Sequence, residues 1–110
     1  MDEQKEAYAM DADREINILQ RAVDTYGAAA QIDMMIEEMS ELTKALCKYR
    51  RAVAGDADEG ELNFRNDQVL EEMADVGIML NQMCLIFGDF NEYEIAKLER
   101  LDKRLREAGA

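Results

Sequence analysis

Two stretches of sequence decide the fold: residues 28–53, AAAQIDMMIEEMSELTKALCKYRRAV, and residues 67–87, DQVLEEMADVGIMLNQMCLIF. In both stretches apolar residues return every three to four positions, which is the spacing of one face of an α-helix. The chain as a whole has 110 residues and no proline. Helix-favouring residues dominate, and β-branched residues are sparse. The sequence therefore predicts an all-α protein.

Glycines mark the expected ends of helices. Gly27, Gly55 and Gly88 each follow an apolar-periodic segment, where a left-handed closing residue is expected. This punctuation predicts four helices, which end at about Tyr26, span about residues 28–53, span about residues 67–87, and run from Asn91 to about Glu107.

The rest of the chain is assigned by its polarity. Residues 54–66 are polar and are predicted to form a loop, and residues 1–12 are polar enough to fray. Asn91 and Glu94 have the spacing of a capping pair. Because 110 residues can bury one core, we expect a single helical domain over residues 1–110.

Charge and cysteine content limit the classes of partner. A formal net charge of -12 argues against binding to nucleic acid or to anionic membranes. Cys47 and Cys84 lie in apolar helical runs, where small core residues are expected rather than a disulfide. No apolar run approaches about 18 residues, so neither a signal peptide nor a membrane span is predicted. We expect a cytoplasmic protein.

Two acidic motifs interrupt the apolar stretches, EEMSE at residues 37–41 and EEMAD at residues 71–75. On a helical wheel of about 100° per residue, Glu38 falls inside the apolar arc of its helix. Glu41 lies at the border of that arc, and Glu37 lies on the solvated face. Glu38 is therefore the acid of the first motif that its helical pattern does not explain.

The third helix is apolar on nearly every side, yet Glu72 projects among its apolar positions and Asp75 lies close by. Grouped carboxylates repel one another, and no basic residue shares the same arcs. A divalent cation would offset this repulsion, and oxygen ligands suit Mg²⁺, with Mn²⁺ as the alternative. The chain has no histidine, which argues against zinc hydrolases and di-iron bundles. The alternative is that these acids cap or bridge helices at the rim of an ordinary bundle.

The pattern EExxE at residues 37–41 followed by ExxD at residues 72–75, on two long helices, resembles that of the MazG-like nucleoside triphosphate pyrophosphohydrolases. The resemblance covers about residues 14–106 and includes Gln31, seven residues before Glu38. The stretch between the two motifs is slightly longer than is usual for the family, which affects the expected loop on the substrate side.

The resemblance implies a MazG-like four-helix bundle, completed as a homodimer or homotetramer through helices like the third. It implies a hydrolase that cleaves (d)NTPs to (d)NMPs and pyrophosphate and so cleans the nucleotide pool. It also implies a set of four Mg²⁺ ligands, namely Glu38, Glu41, Glu72 and Asp75.

Catalytic and substrate-binding residues can be suggested on the same basis. The base that activates water would be Glu41 or Glu37, and the sequence does not choose between them. Basic and amide side chains are candidates for the phosphates and the nucleobase, respectively. For each of them helix-surface pairing or a structural role is the alternative. The candidates are Lys44, Lys48, Arg51, Lys97 and Arg100 for phosphate, and Gln31 and Asn81 for the base.

Two other functions remain open. One is a non-enzymatic acidic helical module that dimerises or acts as an adaptor, for which no specific metal binding is expected. The other is a related enzyme that cleaves a different diphosphate, such as a phosphoribosyl nucleotide or a nucleotide sugar.

Overall fold

A computed structural model describes residues 9–110, and every regular element in that range is an α-helix. The four helices are α1 (Ala12–Tyr26), α2 (Ala28–Ala54), α3 (Glu59–Phe87) and α4 (Asn91–Glu107). The all-α prediction is confirmed for this part of the chain. Of the segment expected to fray, residues 1–8 lie outside the described residues. Over residues 9–110 none of the helices combines the length and the apolar character that a membrane crossing requires.

Helix α1 begins and ends at residues suited to these positions. The Asp11 side chain accepts hydrogen bonds from the backbone N–H groups of Asp13 and Arg14, at 2.7 and 3.3 Å. At the other end Gly27 has a φ of 89°, which glycine adopts without a steric penalty, and its N–H donates to the Val23 carbonyl at 2.8 Å. A single residue therefore turns the chain from α1 into α2.

The loop between α2 and α3 is shorter than the predicted one over residues 54–66. Only residues 55–58 lie outside the helices, and α3 already begins at Glu59. The Asp58 side chain accepts a hydrogen bond from the Glu61 N–H at 2.8 Å and so caps α3. Polarity suggested a loop, but the Asp58-x-x-Glu61 pattern is itself a signal of a helix start. As a result the first two turns of α3 belong to the helical hairpin.

The residue with a left-handed backbone conformation after α2 is not the expected glycine. Gly55 has a φ of -91°, and the left-handed conformation falls instead on Asp56, with a φ of 53°. Aspartate tolerates this conformation better than most residues with a side chain. Gly27 and Gly88 do have positive φ values, as predicted.

The predicted capping pair at the start of α4 is wrong. Phe90 occupies the cap position and makes no side-chain cap, and Asn91 is the first helical residue. The Asn91 N–H instead donates to the Asp89 carboxylate at 2.7 Å. Aspartate therefore satisfies this exposed N–H from two residues upstream.

The small core lies where α1 rests on the antiparallel α2–α3 hairpin. Few side chains are buried, and no large one is fully enclosed among the described residues. Cys47 is exposed and Cys84 half-buried, both as free thiols, so the expectation that both lie in the core is wrong for the single chain. The buried residues are Leu19, Ala45, Ala52 and Met79, together with Gln31 and Gln82.

Helix α4 stands apart from the other helices. No Cα atom of α4 lies within 8 Å of a Cα atom in α1, α2 or α3. The radius of gyration is 17.9 Å, against about 13 Å for a compact domain of this length. The accessible surface is 8876 Å², against about 6,200 Å² for a compact monomer of this mass. The four helices of one chain thus leave much apolar surface open.

Candidate metal centre

Glu38 lies on the buried stripe of α2. The buried residues Gln31, Ala45 and Ala52 are spaced by multiples of seven, and Glu38 occupies the remaining position of this series. Seven residues are two helical turns, so these side chains share one side of the helix. The heptad spacing therefore directs Glu38 towards α3.

The same relationship holds on α3. Glu72 lies seven residues before the buried Met79, and Asp75 lies seven residues before the buried Gln82. Both acids therefore lie on the side of α3 that packs against α2. Because α2 and α3 run antiparallel, this side meets the buried stripe of α2 at the level of Glu38.

The three carboxylates come together at this level. Oxygen atoms of Glu38, Glu72 and Asp75 all lie within 4.8 Å of one another. Glu38 and Glu72 are half-buried, and Asp75 is exposed. Glu41, the fourth predicted ligand, is not part of this three-carboxylate cluster. Three of the four predicted metal ligands are thus placed where one ion could contact them.

The environment of the acid cluster shifts the pKa of Glu38. Partial burial, followed by the negative charges of Asp75 and Glu72, raises the pKa of Glu38 above its ordinary value of 4.5. Glu37 and Glu41 act in the same direction with smaller effect. All of these causes disfavour the charged form of Glu38, and a bound cation would oppose each of them.

The cluster lacks a counter-charge within the described residues. The acids in the ion pairs among residues 9–110 are Glu61, Asp102 and Glu107, so none of these pairs neutralises the cluster. Oε2 of Glu72 is buried and has no hydrogen-bond partner in this range. A buried oxygen of this kind is costly unless something binds it. An all-oxygen site with an unpartnered buried ligand atom fits Mg²⁺ or Mn²⁺.

A narrow polar cleft of about 110 Å³ opens beside the cluster, between α2 and α3. Glu72 lies on its wall together with Glu41, Lys44 and Lys48. The cleft thus brings three predicted catalytic or phosphate-binding residues next to one of the acids of the cluster. Its remaining lining residues are Ala45, Gln68 and Glu71.

A second, basic cleft of about 440 Å³ lies nearer the hairpin loop. Its charged lining residues are Lys48, Arg51, Arg65 and Glu61. Arg65 is not among the residues predicted from the sequence, because it falls in the predicted loop over residues 54–66. The capping signal at Asp58 would have moved it into α3, seven residues before Glu72 and on the same side of the helix.

Other predicted site residues lie elsewhere. Gln31 is buried in the hairpin, seven residues before Glu38. The Asn81 side chain donates to Glu15 of α1 at 3.4 Å and lines neither cleft.

Three further charged candidates line neither cleft. Lys97 and Arg100 line a surface formed by α4 alone, so one chain does not bring them to the acids. Glu37 is exposed and lines neither cleft.

No protein-family model matches the chain, and neither a curated protein nor a solved structure matches it significantly. The geometry of the acid cluster and of the two clefts is therefore the basis for inferring a function.

Proposed function

We propose that the protein is a Mg²⁺-dependent nucleoside triphosphate pyrophosphohydrolase of the MazG-like type, which cleaves (d)NTPs to (d)NMPs and pyrophosphate and cleans the cytoplasmic nucleotide pool. The observation that carries the proposal is the acid cluster with its unpartnered Glu72 oxygen, placed beside a cleft that contains Lys44 and Lys48. Oxygen ligands for a metal ion next to cationic side chains for phosphate are the combination that a metal-bound polyphosphate requires.

Glu38, Glu72 and Asp75 would hold the ion, since their oxygens already lie within 4.8 Å of one another. Mg²⁺ or Mn²⁺ would supply charge neutralisation for the phosphates and for the charge that develops during phosphoryl transfer. The two long helices keep the ligands in place, because neither acid-bearing turn lies in a loop.

The proposed reaction is the attack of water on the α-phosphorus. A new bond forms between the water oxygen and this phosphorus, the bond from phosphorus to the bridging oxygen of the β-phosphate breaks, and pyrophosphate leaves with that oxygen. Glu41 is the favoured acceptor for the proton of the attacking water, because it lies outside the three-carboxylate cluster yet lines the cleft with Glu72. Glu37 is the alternative base.

The phosphate chain would lie against Lys44 and Lys48, which line the same cleft as Glu72. In this orientation the nucleoside would extend towards the end of the hairpin where Gln31 is buried.

The proposed assembly is a homodimer or homotetramer. Support comes from α4, which contacts no other helix of its own chain and exposes Ile95, Leu98, Leu101 and Leu105. Apolar side chains at this spacing form one helix face. A second copy that covers this face would also bring the basic side chains of α4 into the assembly.

The direct test is a panel of (d)NTPs incubated with the protein in Mg²⁺ and in EDTA, with products separated by chromatography. We expect release of pyrophosphate and a monophosphate, without orthophosphate, from at least one nucleotide. Asp75→Asn and Glu38→Gln should abolish this activity. Glu107→Gln is the control, because it removes one negative charge from an exposed position on α4 and should leave the activity unchanged.

No turnover across the panel would refute the proposal. That result would favour the adaptor function, which the uncovered apolar face of α4 supports. Turnover of a nucleotide sugar or a phosphoribosyl nucleotide alone would instead identify a related diphosphate-cleaving enzyme.

A further inference from the structure

We infer that the basic cleft formed by Lys48, Arg51 and Arg65 binds the β- and γ-phosphates of the substrate, the part that leaves as pyrophosphate, and thereby selects triphosphates over shorter phosphate chains. The identity of the substrate rests on the proposed function. The affinity of the cleft for a polyphosphate does not, and it can be measured without metal and without turnover.

The local charge of the basic cleft favours a polyphosphate. The chain carries a formal net charge of -12, yet the basic cleft is lined by three cations and one carboxylate, Glu61. A polyphosphate is repelled by most of such a surface and attracted only where cations converge. The basic cleft is such a place, and it is large enough at about 440 Å³ to admit phosphate groups.

Arg65 has N–H donors that other residues within 9–110 do not use. A guanidinium group has five N–H donors in a planar fork. Arg65 uses one in a 3.2 Å hydrogen bond to Gln68, and its contact with Glu61 is long, at 3.7 Å. Its Nε is buried and has no acceptor among the described residues. The guanidinium lies 5.4 Å from the ring centroid of Phe64, which helps to hold it in place.

The basic cleft lies close to the acid cluster along the hairpin. Arg65 lies seven residues before Glu72, two turns along the same side of α3 and about 10 Å away. Lys48 lines both the polar cleft and the basic cleft, so the two clefts adjoin at this residue. A phosphate chain with its α-phosphate at the metal ligands would pass Lys48 and end at Arg51 and Arg65.

This arrangement predicts which ligands compete. A nucleoside diphosphate with its α-phosphate at the metal ligands would reach Lys48 but would leave the far end of the basic cleft empty. Inorganic pyrophosphate would occupy the position that it has as a leaving group and would compete with the triphosphate substrate. Removal of Arg65 should therefore affect triphosphates more strongly than diphosphates.

The test is calorimetric titration of inorganic tripolyphosphate, pyrophosphate and orthophosphate into the full chain, in EDTA and at low salt. We expect affinity to rise with chain length, and Arg65→Gln to weaken tripolyphosphate binding by about tenfold or more. Arg50→Gln is the matched control, because Arg50 is exposed, lines neither cleft and carries the same charge.

Absence of tripolyphosphate binding by the wild type would overturn the inference, as would equal weakening in Arg65→Gln and Arg50→Gln. Arg65→Lys, with circular dichroism as the check on folding, replaces Arg65→Gln if the latter does not fold. Lysine keeps the positive charge but lacks the planar fork, so Arg65→Lys should bind tripolyphosphate with intermediate affinity.

Tripolyphosphate binding without turnover of any nucleotide would refute the proposed function alone. Turnover with an unchanged triphosphate-to-diphosphate preference in the Arg65 variants would refute the inference alone.

Discussion

Carboxylate oxygens of Glu38 in α2 and Glu72 in α3 lie within 4.8 Å of each other across the helical hairpin. The other positions of the seven-residue series through Glu38 are buried, and Glu72 lies seven residues before the buried Met79, so the packing that forms the core also brings these acids together. The backbone positions of both acids are therefore fixed by the packing of α2 against α3. This constraint connects the stability of the fold to the ionisation of the site and to any cation bound there.

Mg²⁺ should stabilise the protein through these acids. At a concentration one hundred times its dissociation constant, a ligand of the native state raises the free energy of unfolding by about 2.7 kcal/mol, which for a chain of this length is roughly a 10 °C rise in Tm. Glu72→Gln should remove this response and Glu107→Gln should keep it. Differential scanning calorimetry in EDTA and in a Mg²⁺ series measures the effect, and an equal response in both variants would count against a specific site.

The contribution of Glu38 to the stability of the metal-free protein should be lost as the pH rises from about 4.5. The pKa of Glu38 is above its ordinary value of 4.5 in the folded chain, chiefly through partial burial and the charges of Asp75 and Glu72. The folded state therefore holds this proton more tightly than the unfolded state. The resulting stabilisation is complete below the ordinary pKa and is lost as the pH rises through the raised value.

Urea unfolding in EDTA at a series of pH values measures this dependence. Glu38→Gln should flatten it over the pH window that starts at 4.5, and Glu107→Gln should not. A wild-type protein whose difference from Glu38→Gln grows more favourable with rising pH would contradict the assignment.

Glu41 should matter more for the chemical step than Glu37. Glu41 lines the polar cleft with Glu72, whereas Glu37 is exposed and lines neither cleft. Loss of a general base typically lowers the rate by about 10²–10⁴-fold, so Glu41→Gln should lower kcat by this order and Glu37→Gln by only a few fold. Steady-state kinetics at saturating Mg²⁺ compares the two. The reverse order would make Glu37 the base and leave Glu41 as the fourth metal ligand.

The exposed apolar face of α4 should hold the assembly together. Truncation of a leucine that is buried at an interface costs about 2–5 kcal/mol when the site closely resembles a protein core, so Leu101→Ala should shift the protein towards smaller species. Lys103→Ala is the control on the same helix and should not change the assembly, since the Lys103 side chain is 73% exposed. Light scattering after gel filtration over a dilution series measures the shift. A wild-type protein that is monomeric at all concentrations would refute the proposed oligomer.

The cap of α3 should contribute measurably to stability. Asp58 accepts a hydrogen bond from the Glu61 N–H at 2.8 Å, and loss of such a cap costs about 1 kcal/mol. Asp58→Ala should therefore lower the free energy of unfolding by about that amount, while Asp58→Asn, which preserves the acceptor, should be nearly neutral. Chemical unfolding of the three proteins decides the matter, and equal destabilisation by both changes would point to charge instead of capping.

Local sequence patterns were sufficient to predict much of the secondary structure and part of the site. Apolar periodicity and the glycines at positions 27 and 88 indicated four helices, because helix formation and termination depend on nearby residues. Periodicity also separated Glu38 from Glu37, since a charged residue on an apolar stripe is visible without coordinates. The polar composition of residues 54–66 was misleading, because the cap at Asp58 starts a helix irrespective of the polarity that follows.

Only the tertiary structure decided which side chains meet. The register of α2 against α3 brings Glu38 to Glu72 and Asp75, leaves Glu41 on the wall of a cleft, and adds Arg65 to the cations beside Lys48. The sequence of α4 likewise did not indicate that this helix lies apart from the others. An amphipathic pattern predicts that one face is covered, but it does not say by which element. The amino-acid sequence by itself determined the helices and the faces on which the acids lie, since these follow from interactions over one or two turns. The distances between helices depend on packing over the whole chain, and they decided which of those acids can share an ion.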